Sequence, residues 1–166
     1  LISSQLDVDR LDYLKRDSFY SGVSEGIINA DRIISMLNVS NGHLVVDAKA
    51  IYSIEKFIIA RRLMYWQVYL HKTVLSAEFS LVEALKRAKT LVKNNVEIFS
   101  TSALREFLQN NHSLENFNTN PKLLGFFCQL DDIDIMSSIK EWTQHPDTVL
   151  SVLSKNIIER KLLKIE

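Results

Sequence analysis

The sequence has one cysteine, no excess of either charge and no long apolar run. Its single cysteine, Cys128, excludes an internal disulfide framework and suits a reducing compartment, so we expect a cytoplasmic protein with Cys128 buried as a small hydrophobe. Twenty basic and twenty acidic side chains give a formal net charge of zero, so no overall field attracts nucleic acid or an anionic membrane. No stretch approaches the ~20 apolar residues that span a bilayer, and no signal peptide is recognised, so a membrane is not expected as a partner.

The length and composition are those of one soluble domain. With 166 residues, of which 46% are hydrophobic and 24% charged, the chain is long enough to bury a substantial core. Helical patterns dominate the sequence. We therefore predict an all-α (mainly α) fold with one small β-hairpin, and we treat residues 1–166 as a single unit.

The opening segment, residues 3–18, combines acids, arginines and a tyrosine in an apolar-spaced run. A helix turns about 100° per residue, so Tyr13 lies roughly 40° from Asp9, and a second carboxylate follows one turn later. Carboxylates and a phenol on one face, with arginines beside them, suit a metal ion and an anionic ligand. The same spacing is typical of a solvated helix with ion pairs, and Asp7 and Asp12 favour that reading as a cap and a charge partner.

The sequence pattern of this segment resembles that of a known family. Ser-Ser-Gln-Leu-Asp-x-Asp-Arg-x-Asp-Tyr-Leu-x-Arg-Asp-Ser, followed by Gly-Val, is similar over residues 3–23 to the HD-domain phosphohydrolases, and most to the deoxynucleoside triphosphate triphosphohydrolases. The resemblance implies that Asp9 is a metal ligand. It also implies that Arg10 contacts substrate phosphates, and that Tyr13 and Asp17 lie near the nucleotide sugar.

The chain lacks the other metal ligands of that family. HD enzymes use an upstream His and an adjacent His-Asp pair. Here all four histidines follow Asp9, and none has Asp as the next residue: His43, His71, His112 and His145. A catalytic metal typically has about three protein ligands plus water. We therefore expect the C-terminal part of a longer enzyme. In the complete protein a divalent ion (Mn, Fe, Zn or Mg) would bind, but the chain alone should not hold it and should be inactive.

A β-hairpin is predicted over residues 32–46. The pair Asn41-Gly42 between two apolar runs is a strong short-range hairpin signal. A lone hairpin is marginal in water, so it should pack on the helices.

Residues 51–73 contain neither Gly nor Pro and predict one long helix. Apolar side chains cover most of its circumference in the middle, so we expect it to be largely enclosed by protein. Four aromatic side chains are then expected in the core, with a base-stacking platform as the alternative: Tyr52, Tyr65, Trp66 and Tyr69.

One stripe of this helix, by the i, i+4, i+7, i+11 rule, contains Arg61, Tyr65, Val68 and Lys72. Buried cations need anions, either the acids of the opening segment or ligand phosphates. The family resemblance continues here, and it implies that Arg61 reaches the substrate phosphates and Tyr69 the sugar. Lys72 could contact a nucleotide at a separate regulatory site. His71 is expected to form a helix-surface hydrogen bond rather than to bind metal.

The rest of the chain predicts helices and one loop. A capping box at Ser80 begins a helix to about Val92, and Asp147 caps a last helix to about Leu162. Between them we predict a helix over 102–108, a surface loop over 110–121, an apolar segment over 122–130 and a helix through about Thr143.

The sequence thus predicts part of a metal-dependent phosphohydrolase that acts on nucleotides, most simply deoxynucleoside triphosphates, through a metal-bound water. Asp9 is expected to point into a polar hollow shared with Arg61 and Tyr69. Two alternatives stay open: a nucleotide sensor without catalysis, and an oligomerisation module. A nucleotide or other phosphorylated small molecule is the expected ligand, and a homo-oligomer the expected assembly. Nucleic acid is an unlikely partner.

Overall fold

The computed structural model describes residues 4–164, of which helices form the largest part. About 70% of the residues are helical and a single two-stranded sheet is present in this range, which confirms the mainly α fold with a small hairpin. The helices are α1 Val8–Ser21, α2 Ala30–Ser35, α3 Ile51–Met64, α4 Lys72–Lys93, α5 Ser102–Gln109, α6 Leu114–Thr119, α7 Pro121–Gln129, α8 Asp132–Trp142 and α9 Thr148–Ile158. The strands are β1 Leu37–Ser40 and β2 His43–Val46.

The chain forms two compact units, Leu1–Val74 and Leu75–Glu166, each with most of its residue contacts inside itself. The sequence predicts a single unit. We call them the N-terminal unit and the C-terminal unit. Each has its own hydrophobic core. Within the described residues no helix is both long and apolar enough to cross a membrane.

In the N-terminal unit, α1 begins at the cap that the sequence predicts, Asp7, and is also capped at its C-terminal end. The Asp7 side chain accepts a hydrogen bond from the backbone N–H of Arg10 at 2.8 Å, and Gly22 ends the helix in the left-handed conformation with φ 72°. The core of this unit contains Leu11, Leu14, Ile28, Ile33, Phe57, Ala60 and Met64. It joins α1 to α3.

The hairpin is confirmed at its turn and is shorter than predicted. Asn41 and Gly42 both have positive φ, and the antiparallel register pairs Leu37 with Val46. Residues 32–35 are helical rather than extended, because the Asn29 side chain caps α2 by accepting the backbone N–H of Arg32.

The prediction of one helix over 51–73 is wrong at its C-terminal end. A π-helical segment, Tyr65–Tyr69, follows α3, the chain turns at Leu70, and a new helix α4 begins at Lys72. The His71 ring Nδ1 accepts the backbone N–H of Thr73 at 3.2 Å, which caps the start of α4 and fits the hydrogen-bonding role expected of His71.

Two related expectations are also wrong. Ser80 does not begin a helix but is buried inside α4, because the helix already starts eight residues earlier. The long helix is not enclosed either: Ile58, Ile59 and Trp66 are each more than half exposed.

The C-terminal unit packs α4, α5, α8 and α9 around Trp142, whose Nε1–H donates to the Phe99 carbonyl at 2.8 Å. Asp147 caps α9 as predicted, although α9 ends at Ile158 rather than near Leu162. Its carboxylate also receives two hydrogen bonds from the Arg87 guanidinium, at 2.6 and 3.1 Å. This pair ties the start of α9 to α4.

Other segments of this unit follow the sequence in part. The helices over 102–109 and 132–142 confirm the predictions there, and Asp131 caps the second by accepting two backbone N–H groups. The predicted loop over 110–121 instead contains α6, which Ser113 begins with a capping box. Cys128 is exposed, contrary to expectation, because it lies on the outer face of α7.

Candidate functional site

A cavity of about 890 Å³ lies in the N-terminal unit between α1, the end of β2, α3 and the π-helical segment. Three arginine side chains line it: Arg10 from α1, and Arg61 and Arg62 from α3. Tyr65 and Trp66 of the π-helical segment contribute aromatic walls. We call this space the arginine cavity. Its size is that of a small-molecule site.

Arg10 is held in place from the start of α1. Its guanidinium Nη1 lies 3.2 Å from Asp7 Oδ2 and also donates to the Ser4 carbonyl. The hydrogen bond from the Arg10 backbone N–H is the main cause that lowers the pKa of Asp7, with smaller contributions from the charges of Arg10 and Arg61. Asp7 therefore acts as a helix cap and a charge partner, as its sequence position favours.

Arg61 has no carboxylate within ion-pair distance among residues 4–164. Its guanidinium lies 5.7 Å from the centroid of the Tyr65 ring, and the side chain is half-buried. The neighbouring Arg62 repeats this arrangement with Trp66 at 5.1 Å. Among the described residues, the arginine cavity is thus lined by three guanidinium groups and no carboxylate, and Asp7 pairs with Arg10 from outside the lining. This excess of positive charge favours an anion.

Three tyrosines and an aspartate form a cluster beside Arg61. The Tyr69 hydroxyl donates to Asp17 Oδ2 at 2.7 Å, and the Tyr69 ring contacts those of Tyr13 and Tyr65 edge to face, with centroids 5.9 and 5.1 Å away. Burial, followed by the hydrogen bond to Asp17, raises the pKa of Tyr69 well above its usual range. Burial is also the main cause that raises the pKa of Tyr13. At neutral pH both phenols are therefore uncharged hydrogen-bonding groups.

The structure thus brings most of the predicted site residues together. Tyr13, Asp17 and Tyr69 are in direct contact, although they lie up to 56 positions apart in the sequence. The charges of Arg10 and Arg61 both lower the pKa of Tyr13, which places the two arginines beside this cluster.

Asp9 does not join them. It is exposed in the first turn of α1 and is not among the residues that line the arginine cavity, so the expectation of a hollow shared with Arg61 and Tyr69 is wrong. The reason is helical geometry: Asp7 and Leu11 face the core of the unit, and Asp9 lies on the opposite side of α1. Asp12 is also exposed and pairs with Arg16 one turn later.

The residues present do not make a complete metal site. Across residues 4–164 no three His, Cys, Asp or Glu side chains lie close enough together to hold an ion. Asp9 alone could supply one ligand.

Lys72 lies exposed in the first turn of α4. The predicted stripe breaks before it, because the π-helical segment widens the turn and the chain then bends at Leu70.

The sequence analysis did not assign a binding role to Arg62 or Trp66. The sequence does contain a signal for these contacts. Each of two consecutive arginines has an aromatic residue four positions later, the spacing that lets side chains meet on a helix. Three of the four aromatic side chains expected in the core are exposed: Tyr52, Tyr65 and Trp66.

The sequence also matches a protein-family model. Residues 28–112, just over half of the chain, match the model of the HD associated region. The chain belongs to this family.

The relatives include proteins of several kinds. The crystal structure of a phosphohydrolase from Bacteroides thetaiotaomicron superposes with a TM-score of 0.96 at 54% identity, over 100% of this chain and 41% of that one. The uncharacterized protein YwfO of Bacillus subtilis is 32% identical over 99% of this chain and 36% of its own length. A deoxynucleoside triphosphate triphosphohydrolase SAMHD1 homolog of Dictyostelium discoideum is 31% identical over 54% of this chain and 17% of its own length.

The chain therefore spans about two fifths or less of these relatives. The resemblance drawn from residues 3–23 is confirmed for the HD-type family as a whole. The triphosphohydrolase branch stays a prediction.

Proposed function

We propose that this chain forms the substrate-binding part of an HD-type phosphohydrolase that acts on nucleotides, with deoxynucleoside triphosphates as the leading class. One observation carries the proposal: Arg10, Arg61 and Arg62 line the arginine cavity, and among the described residues only Arg10 of these three pairs with a carboxylate, that of Asp7. Arg10 and Arg61 are half-buried, guanidinium groups in excess are stabilised by an anion, and their planar donors match phosphate oxygens. The similarity to a phosphohydrolase supports phosphate as that anion.

Within this proposal each residue has a separate task. Arg10 and Arg61 bind the phosphates and counter negative charge that develops there. Two neutral phenols, Tyr13 and Tyr69, and the Asp17 carboxylate that accepts the Tyr69 hydroxyl form a polar rim that suits the hydroxyl groups of a sugar.

The metal is proposed only for a longer protein. Asp9 would supply one ligand from the exposed side of α1, and the remaining ligands would come from residues outside this chain. Such an ion would lower the pKa of a bound water and polarise a phosphoryl oxygen. Because the described residues of this chain bring together no second and third ligand, we expect the chain alone to hydrolyse no nucleotide.

The proposal is tested by calorimetric titration of the chain with deoxynucleoside triphosphates and with inorganic tripolyphosphate. Arg61→Gln should weaken the binding of both about tenfold or more, since a charge-assisted contact is lost. Arg16→Gln is the matched control, because it removes the same charge from the same unit at an exposed position that pairs with Asp12. It should leave both affinities unchanged.

Two results would count against the proposal. Equal effects of the two substitutions would show that binding, if any, depends on general charge rather than on the cavity. Hydrolysis of a deoxynucleoside triphosphate by the chain alone after addition of Mn²⁺ would contradict the assignment of the missing ligands to other residues.

A further inference from the structure

The proposed function assigns no role to Trp66 or to the part of the arginine cavity around it. Trp66 is 65% exposed, although a tryptophan is among the side chains that gain most from burial. Ile58 and Leu70, which line the same cavity, are 60% and 52% exposed. These three side chains form an open apolar wall next to three guanidinium groups.

Arg62 partly orders this wall. Its guanidinium carbon lies 5.1 Å from the centroid of the Trp66 ring, within the range of a cation–π contact. The contact fixes the ring in the cavity and still leaves most of its surface accessible. The parallel pair, Arg61 and Tyr65, differs because Tyr65 contacts the ring of Tyr69 and is exposed by only 39%.

The chemistry of the wall differs from that of the phosphate-binding arginines. An exposed indole flanked by aliphatic groups attracts a flat apolar surface. Each of the nucleobases offers such a surface. A cavity of about 890 Å³ is large enough for a base and its phosphates at once.

We propose that Trp66, ordered by Arg62, is the platform on which the base of the nucleotide stacks, while Arg10 and Arg61 bind the phosphates. This inference rests on the proposed function and deepens it, because it assigns base binding to a side chain. It makes nucleotides better ligands than inorganic polyphosphate of the same charge.

The test compares two probes, a deoxynucleoside triphosphate and inorganic tripolyphosphate, on the wild type and on two variants at position 66. Trp66→Ala should weaken nucleotide binding about tenfold and leave tripolyphosphate binding unchanged. Trp66→Phe, which keeps an aromatic face, should restore most of the nucleotide affinity. Since Trp66 is exposed, both variants should keep the thermal unfolding midpoint of the wild type.

Fluorescence supplies an independent readout, because the chain has only two tryptophans. Trp142 is buried in the C-terminal unit, so quenching on nucleotide binding should come from Trp66 and vanish in Trp66→Phe.

The outcomes separate the two proposals. If nucleotide and tripolyphosphate bind, Arg61→Gln weakens both and Trp66→Ala changes neither, the inference is wrong and the proposed function stands. An equal loss of both probes in Trp66→Ala overturns the inference as well, because the ring then supports the cavity as a whole. If neither probe binds the wild type, the proposed function fails and the inference fails with it.

Discussion

At the scale of single residues, the hydrogen bond from Tyr69 to Asp17 joins two segments that are 52 positions apart. The donor is half-buried and the acceptor is a carboxylate, so the bond is stronger than one between neutral groups. It also fixes the edge-to-face contact of Tyr69 with Tyr13. The candidate sugar-binding rim is therefore also a stabilising contact of the N-terminal unit.

Removal of this hydroxyl should destabilise the chain. We expect Tyr69→Phe to lower the free energy of unfolding by about 1.5 kcal/mol, measured by urea denaturation at neutral pH. Tyr20→Phe is the control, because Tyr20 is 81% exposed, and its effect should stay within about 0.5 kcal/mol. Equal stability of Tyr69→Phe and the wild type would mean that the bond to Asp17 does not form in solution.

Helical spacing and the family resemblance both pointed to Asp9, Tyr13 and Asp17 as site residues of the opening segment. The structure brings Tyr13 and Asp17 to Tyr69, whereas Asp7 faces inward and Asp9 outward. The contact between Tyr69 and Asp17 could not be derived from spacing, since it depends on how α1 packs against α3. The resemblance, which carries tertiary information, named both residues.

At the scale of elements, the close packing of α1 on α3 depends on Gly26. A Cβ atom built there would lie 2.7 Å from Met64 Sδ and 2.8 Å from Ser18 Cβ. The Met64 side chain can move, but Ser18 Cβ is fixed to the backbone of α1. Any larger residue at position 26 must therefore push α1 and α3 apart.

A pair of glycine substitutions tests this packing. Gly26→Ala should lower the free energy of unfolding by about 1–3 kcal/mol through overpacking. Gly125→Ala, inside α7 with nothing within 4 Å of the new Cβ, should be neutral or stabilising by up to about 1 kcal/mol. Gly26→Ala without a cost would show that α1 and α3 are not packed as described.

The cap of α9 gives the second prediction at this scale, and it depends on pH. The hydrogen bond from Arg87, followed by that from the Leu150 backbone N–H, lowers the pKa of Asp147 from 3.8 to about 2. A lowered pKa in the folded state means that the charged carboxylate contributes stability above pH 3.8, and that this contribution is lost as the pH falls towards 2.

The measurement is urea denaturation of the wild type and Asp147→Asn across that pH range. The variant should be less stable by about 1–2 kcal/mol at neutral pH, and the difference should shrink as the pH falls through the stated window. Asp12→Asn removes the carboxylate of an exposed pair and should show little difference at any pH. A pH-independent difference for Asp147→Asn would contradict the assigned ion pair.

The elements that the sequence predicted well are those with local signals. Asp7 and Asp147 mark helix starts through their own caps, and Asn41-Gly42 marks the hairpin turn. The π-helical segment has no such signal, and its position decides which side chains of residues 61–72 share a face. Ser80 shows the opposite error, because a good capping pattern lies in the middle of a helix that packing stabilises.

At the scale of the whole molecule, the chain matches about two fifths or less of its relatives, and it contains candidate substrate-binding residues without a metal cluster among those described. We therefore propose that the arginine cavity binds the substrate and that the remaining metal ligands belong to a longer protein. The expected homo-oligomer also remains a prediction. Exposed apolar side chains of α3 that do not line the arginine cavity, Ile51 and Ile59 among them, are consistent with a further protein surface covering that side of the helix.

The most direct test of the central claim is NMR observation of the arginine side chains while the chain is titrated with tripolyphosphate. The account predicts that the guanidinium signals of Arg10 and Arg61 shift with one common dissociation constant. The signals of Arg87 and Arg105, in the C-terminal unit, should stay in place. Shifts at Arg87 and Arg105 without shifts at Arg10 and Arg61, or no shifts at all, would contradict it.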